Sequence, residues 1–355
     1  MSNVRDISFG TLNLYNLQVP GQPTHPGSAM FDDVTYAARL RWAAQLIAQM
    51  DADVIAFQEL WSAQALRDLF ALEGLDARYE LQFIADEWYD IAVAAAVRKP
   101  WRVEDRRLHK AFPDAFRLIK RGHGEAGAQA ERTDDDIDVR IPFFSRTVLE
   151  LVLVRDGVDN LPPLHVVCAH LKSKLPTQLD PVEARIDALR PHRNALGAAL
   201  STIRRTAEAA ALRMILTDLT KSDATRAVVL LGDLNDGAHA NTLSILSAQP
   251  PFRRYSKSQT GRTSDTGLYP VTFLQALADF QDVAYTHVYQ GDREQLDHVL
   301  VSEQFYDHSQ HRYWSFKEQR IWNDHLVEDG LTGARRPTSD HGAVCARFVW
   351  DPAAR

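Results

Sequence analysis

Val228–Asp236 reads VVLLGDLND. Four apolar residues run without interruption into a glycine, then into two aspartates with Leu234 and Asn235 between them. An apolar run this short, closed by glycine, is the pattern of a strand covered on both faces, as in a layered α/β fold. Its end is then a rim where polar side chains leave the core. Asp233 and Asn235 lie two apart and are expected to project the same way from an extended chain, with Gly232 allowing a sharp turn there. Asp236 reads instead as a cap for the helix expected at AHANTLSIL.

Other segments repeat the pattern. ISFGTLNLYNL (from Ile7) suits a strand and is followed by a Pro/Gly-rich loop, VPGQPTHPGS. Tyr36, Leu40, Ala43 and Ile47 keep helical spacing behind a cap at Asp32 or Asp33. DVIAFQEL is a short buried strand ending in Gln58 and Glu59. Further strands are predicted at IAVAAAV (from Ile91), TVLELVLV (from Thr147), LHVVCAH (from Leu164), HVLVS (from His298) and AVCARFVW (from Ala343). A helical segment around 180–220 carries an apolar face at Leu212, Ile215, Leu216 and Leu219. Residues around 104–140 are polar and read as a surface insertion, a solvated loop or a lid. Its cluster Asp134, Asp135, Asp136 and Asp138 lacks the glycine and terminal glutamate of a calcium loop. No repeat or linker divides the chain, so a single α/β domain over 1–355 is expected.

The totals narrow the function. With 45% apolar and 25% charged residues in 355, a substantial core is expected. A formal charge of −7 disfavours sequence-independent coating of nucleic acid. Cys168 and Cys345 sit in apolar runs and read as buried thiols, which leaves no disulfide scaffold. No stretch approaches about 18 uninterrupted apolar residues and the N-terminus has no signal-peptide core, so stable membrane insertion is not expected and a cytoplasmic location is.

Six predicted strand ends carry Asn, Asp, Glu or His: Asn13, Glu59, His170, Asp233 with Asn235, Asp297, and Asp340 with His341. One such residue is an ordinary turn former. Six together point to a shared rim. The chain lacks GxSxG, a GxxxxGK[ST] loop and HExxH. A donor set dominated by oxygen favours Mg²⁺, with Mn²⁺ as its substitute, over structural zinc. Hard cations on one or two carboxylates serve phosphate chemistry. A metal-assisted phosphoester hydrolase is therefore the leading reading.

TLNLYNL, DVIAFQEL, FFSRTVLEL, CAHLKSK, VVLLGDLND, QLDHVLVS and SDHGAV occur in that order from Asn13 to His341. Together they resemble the endonuclease/exonuclease/phosphatase superfamily, which includes DNase I, abasic-site endonucleases, sphingomyelinases and inositol phosphatases. The resemblance implies a DNase I-like four-layer α/β sandwich, two mixed β-sheets packed face to face with helices outside. It matches Glu59 to the principal metal-binding carboxylate, Asn13 to its supporting asparagine, and Asp340 to a carboxylate at the metal or beside the histidine. Asp233 matches the aspartate held against the attacking water. Asn235 and His341 match residues on the scissile phosphate, and Asp297 matches the aspartate that orients His341. His170 matches a histidine of the DNase I and sphingomyelinase branches, and Arg146 a phosphate-contacting arginine.

The expected reaction is in-line attack of water, with a phosphodiesterase or nuclease acting on nucleic acid or a nucleotide as the first reading. A phosphatase or sphingomyelinase-like hydrolase of small phosphoesters or lipid head groups is the alternative. A non-catalytic binding module on the same fold is the remote one, and it would predict a lost motif residue. No protein partner is expected. His298 should face away from the site. Lys172 and Lys174 read as solvated charges or phosphate contacts, and Trp314, Phe316 and Trp322 as packing residues or pocket walls.

Overall fold

The alternation inside VVLL sets the strand between two layers. Val229 and Leu231 join one apolar cluster, whereas Val228 and Leu230 join another with Leu212 and Leu216. The computed structural model describes residues 4–84, 91–120, 137–221, 225–248, 266–278, 285–289, 292–326 and 332–353. In it the stretch forms β10 (Ala227–Asp233), buried along its whole length.

Two six-stranded mixed sheets carry the fold. The first contains β1 (Ile7–Leu17), β2 (Val54–Leu60), β3 (Tyr79–Phe83), β4 (Ala92–Arg98), β15 (Trp314–Trp322) and β16 (Ala343–Trp350), in the order β15-β16-β1-β2-β4-β3. The second contains β5 (Trp101–Ala111), β8 (Phe143–Arg155), β9 (Leu164–His170), β10, β11 (Tyr269–Pro270) and β14 (Asp297–Val301), in the order β11-β14-β10-β9-β8-β5. Each sheet has one parallel pair at its centre, β1 with β2 and β9 with β10, and all other neighbours run antiparallel. A long helix makes each parallel crossover, as parallel pairing requires. These are α1 (Asp33–Met50) in the first sheet and α4 (Arg193–Lys221) in the second.

Three apolar clusters separate four layers. The central one fills the gap between the sheets with Phe9, Val54, Leu151, Val166, Val229, Val299 and Phe348 among others. A second joins the outer face of the first sheet to α1, α2 (Ala63–Phe70) and the short α3 (Leu75–Arg78). A third joins the second sheet to α4 and α5 (Asn241–Ser247). This is the α/β sandwich expected. Asp32 caps α1 by accepting from Thr35 N at 2.6 Å, and Tyr36, Leu40, Ala43 and Ile47 are its buried face. Both cysteines are buried free thiols.

Several expectations change. The polar stretch from residue 104 is not all loop: through Ala111 it is β5, whose polar residues sit on the sheet edge against β8. Beyond it, β6 (Leu118–Lys120) and β7 (Ile137–Val139) pair antiparallel, as do β12 (His287–Tyr289) and β13 (Asp292–Glu294). Asp134, Asp135 and Asp136 lie outside the described residues; Asp138 pairs with Arg140 at 3.0 Å. The helix expected from 180 begins only at Arg193, after two short 3-10 turns. Asp236 is not the cap of α5, whose N-cap is Ala240. Its Oδ2 accepts from Thr242 Oγ1 at 2.7 Å and from Arg205 Nε at 3.4 Å, so it pins α4 and α5 to the rim.

Candidate active site

Strand parity puts polar side chains on the inward faces, where the inter-sheet core ends. Along β1, Ile7 and Phe9 face the core, and Thr11 and Asn13 follow in step. Along β2 the sequence is Val54, Ala56, Gln58; along β9 it is Val166, Cys168, His170; along β10 it is Val229, Leu231, Asp233. Asp297 opens β14 on the same face as Val299, and His341 precedes β16. Thr11 and Gln58 share a 3.1 Å hydrogen bond and form a polar floor. The two sheets therefore contribute to one rim. His298, out of step by one, points to the helix layer, where its Nε2 meets the Asp236 carbonyl at 2.9 Å.

Four residues at this rim hold left-handed backbone: Tyr15 (φ 50), Asn16 (φ 54), Glu59 (φ 56) and Asn235 (φ 54). Such conformations are unfavourable for non-glycine residues and persist only where surroundings over-determine them. Here the turn at Glu59 breaks the strand alternation and brings its carboxylate within 4.8 Å of ligand atoms of His170 and Asp233. The turn at Asn235 is also not the extended chain expected. Asn235 N donates to Asp233 Oδ1 at 2.9 Å, closing a turn, while Asn235 Nδ2 donates to the Leu171 carbonyl at 3.0 Å.

That turn commits one oxygen of Asp233 and leaves Oδ2 facing the site. Oδ2 accepts from Asn13 Nδ2 at 3.1 Å and lies 3.6 Å from His170 Nε2 and 3.9 Å from His341 Nε2. His341 Nδ1 meets Asp297 Oδ2 at 2.8 Å. The two imidazoles have opposite character. Burial holds His170 well below the usual histidine range, and the cations Arg146, His341 and Lys172 push it further down. Burial also opposes charge on His341, but Asp297, Asp233 and Asp340 outweigh it and hold that ring well above the usual range. Burial raises Asp233 itself, against the pull of His341 and with Asp297 and Glu59 adding to the rise. The result is a buried carboxyl group between one imidazole held neutral and one held cationic.

The donor set fits a hard cation. Glu59, His170 and Asp233 form one group of mutually close ligand atoms; Asp233, Asp297 and His341 form a second, and His287, Asp340 and His341 a third. Asp340 Oδ1 and Asp297 Oδ1 are buried without a hydrogen-bond partner, an expensive state that a cation or its water would relieve. Asn13 is placed differently from a simple ligand: its Nδ2 holds Asp233 and its Oδ1 accepts from Tyr15 N at 2.8 Å.

Arg146 lies half-buried in β8 and donates to the Leu171 carbonyl at 3.1 Å, beside His170. Lys174 is tied to Glu294 at 2.8 Å and to Asp236 at 3.5 Å, whereas Lys172 is half-buried among Arg146, Arg204 and Arg205. Trp314 is fully buried and its indole donates to the Arg5 carbonyl, so it is a packing residue. Three rim residues were not among the candidates read from the sequence. Ser339 Oγ donates to the Asn13 carbonyl at 2.7 Å and accepts from His341 N at 2.9 Å, tying the end of β1 to the segment before β16 in the first sheet. Glu208 of α4 accepts from Ser145 N and Lys172 N, each at 2.8 Å. His287 stacks obliquely on His341, with ring centroids 5.0 Å apart.

Comparison with known proteins agrees with this architecture. Truncated TDP2 of Caenorhabditis elegans is 15% identical over 97% of this chain and 98% of its own, with a TM-score of 0.52. A Bacteroides thetaiotaomicron endonuclease/exonuclease/phosphatase family protein is 13% identical over 98% of both chains, with a TM-score of 0.54. The human Nocturnin catalytic domain, solved with a bound sulfate anion, is 12% identical over 98% of this chain and 94% of its own, with a TM-score of 0.53. At such identities the likeness speaks for the fold. No curated protein matches the sequence. The family model described as endonuclease/exonuclease/phosphatase matches residues 10–341, nearly the whole chain, and to that phosphoester-hydrolase family the chain belongs.

Proposed function

We propose that this chain, acting as one domain, is a divalent-metal-dependent phosphodiesterase that cleaves by in-line attack of water. One observation carries the reading: Asp233 Oδ2 is buried between the His170 and His341 rings, at 3.6 and 3.9 Å. The inner oxygen of Asp233 is locked by Asn235, so Oδ2 is the atom left to orient water and accept its proton. Neutral His170 stands beside it as a second acceptor. Cationic His341, its ring oriented by Asp297, and the Asn235 amide serve the non-bridging phosphoryl oxygens. Arg146 supplies a further phosphate contact. Glu59 and Asp340 would hold Mg²⁺, with Mn²⁺ as substitute, and Asn13 would support that site by fixing Asp233. A cation there supplies charge neutralisation for the departing oxygen.

Nucleic acid or a nucleotide is the substrate class this reading favours. A Danio rerio relative of this fold, TDP2, was solved with a single-strand DNA product. The test is a panel of aryl phosphodiester, aryl phosphomonoester, single-stranded DNA and RNA, and sphingomyelin, with Mg²⁺, Mn²⁺ and chelator. Diester turnover abolished by chelator, by Asp233→Asn and by His341→Ala is expected. Full turnover in excess chelator, or wild-type rates in both variants, would overturn the reading.

A further inference from the structure

Arg39 interrupts the apolar face of α1, three residues after Tyr36 and one before Leu40. Its side chain is almost wholly buried, at 1% exposure. A buried guanidinium ordinarily faces a carboxylate, because the desolvation penalty is otherwise uncompensated. Arg39 instead donates to a ring of backbone carbonyls. Nη1 reaches Tyr15 O at 2.6 Å and Leu14 O at 3.5 Å. Nη2 reaches Gly333 O at 3.1 Å and also Arg336 O, to which Nε donates at 3.1 Å. Its five N–H groups thus match five contacts, and the flat fork lies near the Phe31 and Tyr15 rings at 4.8 and 5.3 Å.

The carbonyls belong to two segments that position different residues of the rim. One is the left-handed turn of β1, where Asn16 N donates to Glu59 Oε2 at 3.1 Å and Tyr15 N is held by Asn13. The other runs from Gly333 to Ser339, whose hydroxyl accepts from His341 N. Tyr15 doubles the link, since its hydroxyl accepts from Gly333 N at 2.9 Å. We propose that Arg39 is a positioning residue that clamps the Glu59 side and the His341 side of the rim in one register before metal and substrate arrive. This rests on the hydrolase reading above for its purpose, but not for its geometry. A cation behind Glu59 and Asp340 repels an incoming divalent ion, so electrostatics alone would make Arg39 harmful to metal binding. Preorganisation of the rim outweighs that repulsion.

The test uses the full chain with Arg39→Met, Arg39→Lys and Tyr15→Phe. Amide hydrogen exchange without metal should rise by at least about tenfold in both 13–17 and 333–341 in Arg39→Met. Calorimetric titration with Mn²⁺ alone should show affinity weakened by about 10–100-fold in Arg39→Met. Arg39→Lys keeps the charge but not the fork and should fall in the same direction, and Tyr15→Phe more mildly. Exchange that rises in neither segment, or in only one, overturns the clamp. So does unchanged or tighter Mn²⁺ binding in Arg39→Met. Should that variant not fold, Arg39→Lys and Tyr15→Phe decide by the same two measurements. A wild-type chain that binds no Mn²⁺ defeats the metal reading, while the exchange result still judges the clamp.

Discussion

Asp297 Oδ2 sits 2.8 Å from His341 Nδ1 and leaves Nε2 of that ring aimed at the site. With Asp233 it holds His341 well above the ordinary histidine range despite burial. A raised histidine is charged below its folded value and loses that charge as pH climbs through it. In Asp297→Asn the charged form is lost at lower pH. The alkaline limb of the kcat/KM profile should therefore move toward acid by about a unit or more, and the maximal rate should fall. A pH series on an aryl phosphodiester checks this, and an unmoved alkaline limb would count against the assigned role of His341.

Metal uptake should release protons. Burial raises Asp340 to about 6 and raises Asp233 as well. Groups with raised values keep protons that a ligated carboxylate must shed. Mn²⁺ affinity should then tighten as pH rises from the ordinary carboxylate range toward neutrality, by up to about tenfold per unit. Calorimetry in two buffers of different ionisation enthalpy counts the protons. Equal heats in both would contradict it.

Gly232 should tolerate no side chain. Its φ is +141°, and a Cβ there would lie 1.9 Å from the Ala169 carbonyl oxygen of the neighbouring strand. Backbone on both sides is fixed by the β9–β10 ladder, so neither partner can give way. Gly232→Ala is expected to lose about 3 kcal/mol or more, or to give no folded chain. Gly237→Ala, where a Cβ meets nothing within 4 Å, is the matched control and should stay within about 0.5 kcal/mol in urea melts.

Glu150 offers a stability switch away from the rim. It is buried between His109 Nε2 at 2.8 Å and His165 Nδ1 at 2.9 Å. Burial raises its carboxyl, but the two histidine hydrogen bonds prevail and hold it at about 2. A depressed carboxylate contributes stability above its unfolded value, and that contribution fades as pH falls from about 4.5 toward 2. Glu150→Gln should be less stable than wild type at neutral pH, by up to about 3 kcal/mol, with the gap closing over that window. Denaturant melts at several pH values measure it, and a constant gap would reject the account of a hydrogen-bonded carboxylate.

Much of this was legible because burial and chemistry sit in the same short segments. VVLLGDLND shows its covered strand and its functional end together, as do DVIAFQEL and LHVVCAH. β5 was hidden because an edge strand exposes its residues and so reads as a polar loop. Asp236 was misplaced because a capping pattern and an ion-pair hub look alike until Arg205, thirty-one positions away, comes into contact. Glu208 acts through backbone amides, which leave no mark in one sequence, and although Ser339 opens the SDHGAV block its bonds to Asn13 and His341 appear only in the fold. Arg39 did leave one, a cation inside an otherwise apolar helical face. Its reach to Gly333 and Arg336, almost three hundred residues on, is set only by the closed fold.

The divided rim has a consequence for how such a chain can fail. Asn13, Glu59 and His341 hang from one sheet, and His170, Asp233 and Asp297 from the other. The gauge between those halves is the thickness of the Phe9, Leu231 and Val299 layer beneath them. Wear in that layer translates directly into misfit at the rim. A methyl group trimmed deep in this seam costs about 1 kcal/mol of stability and also sets how closely the two halves meet.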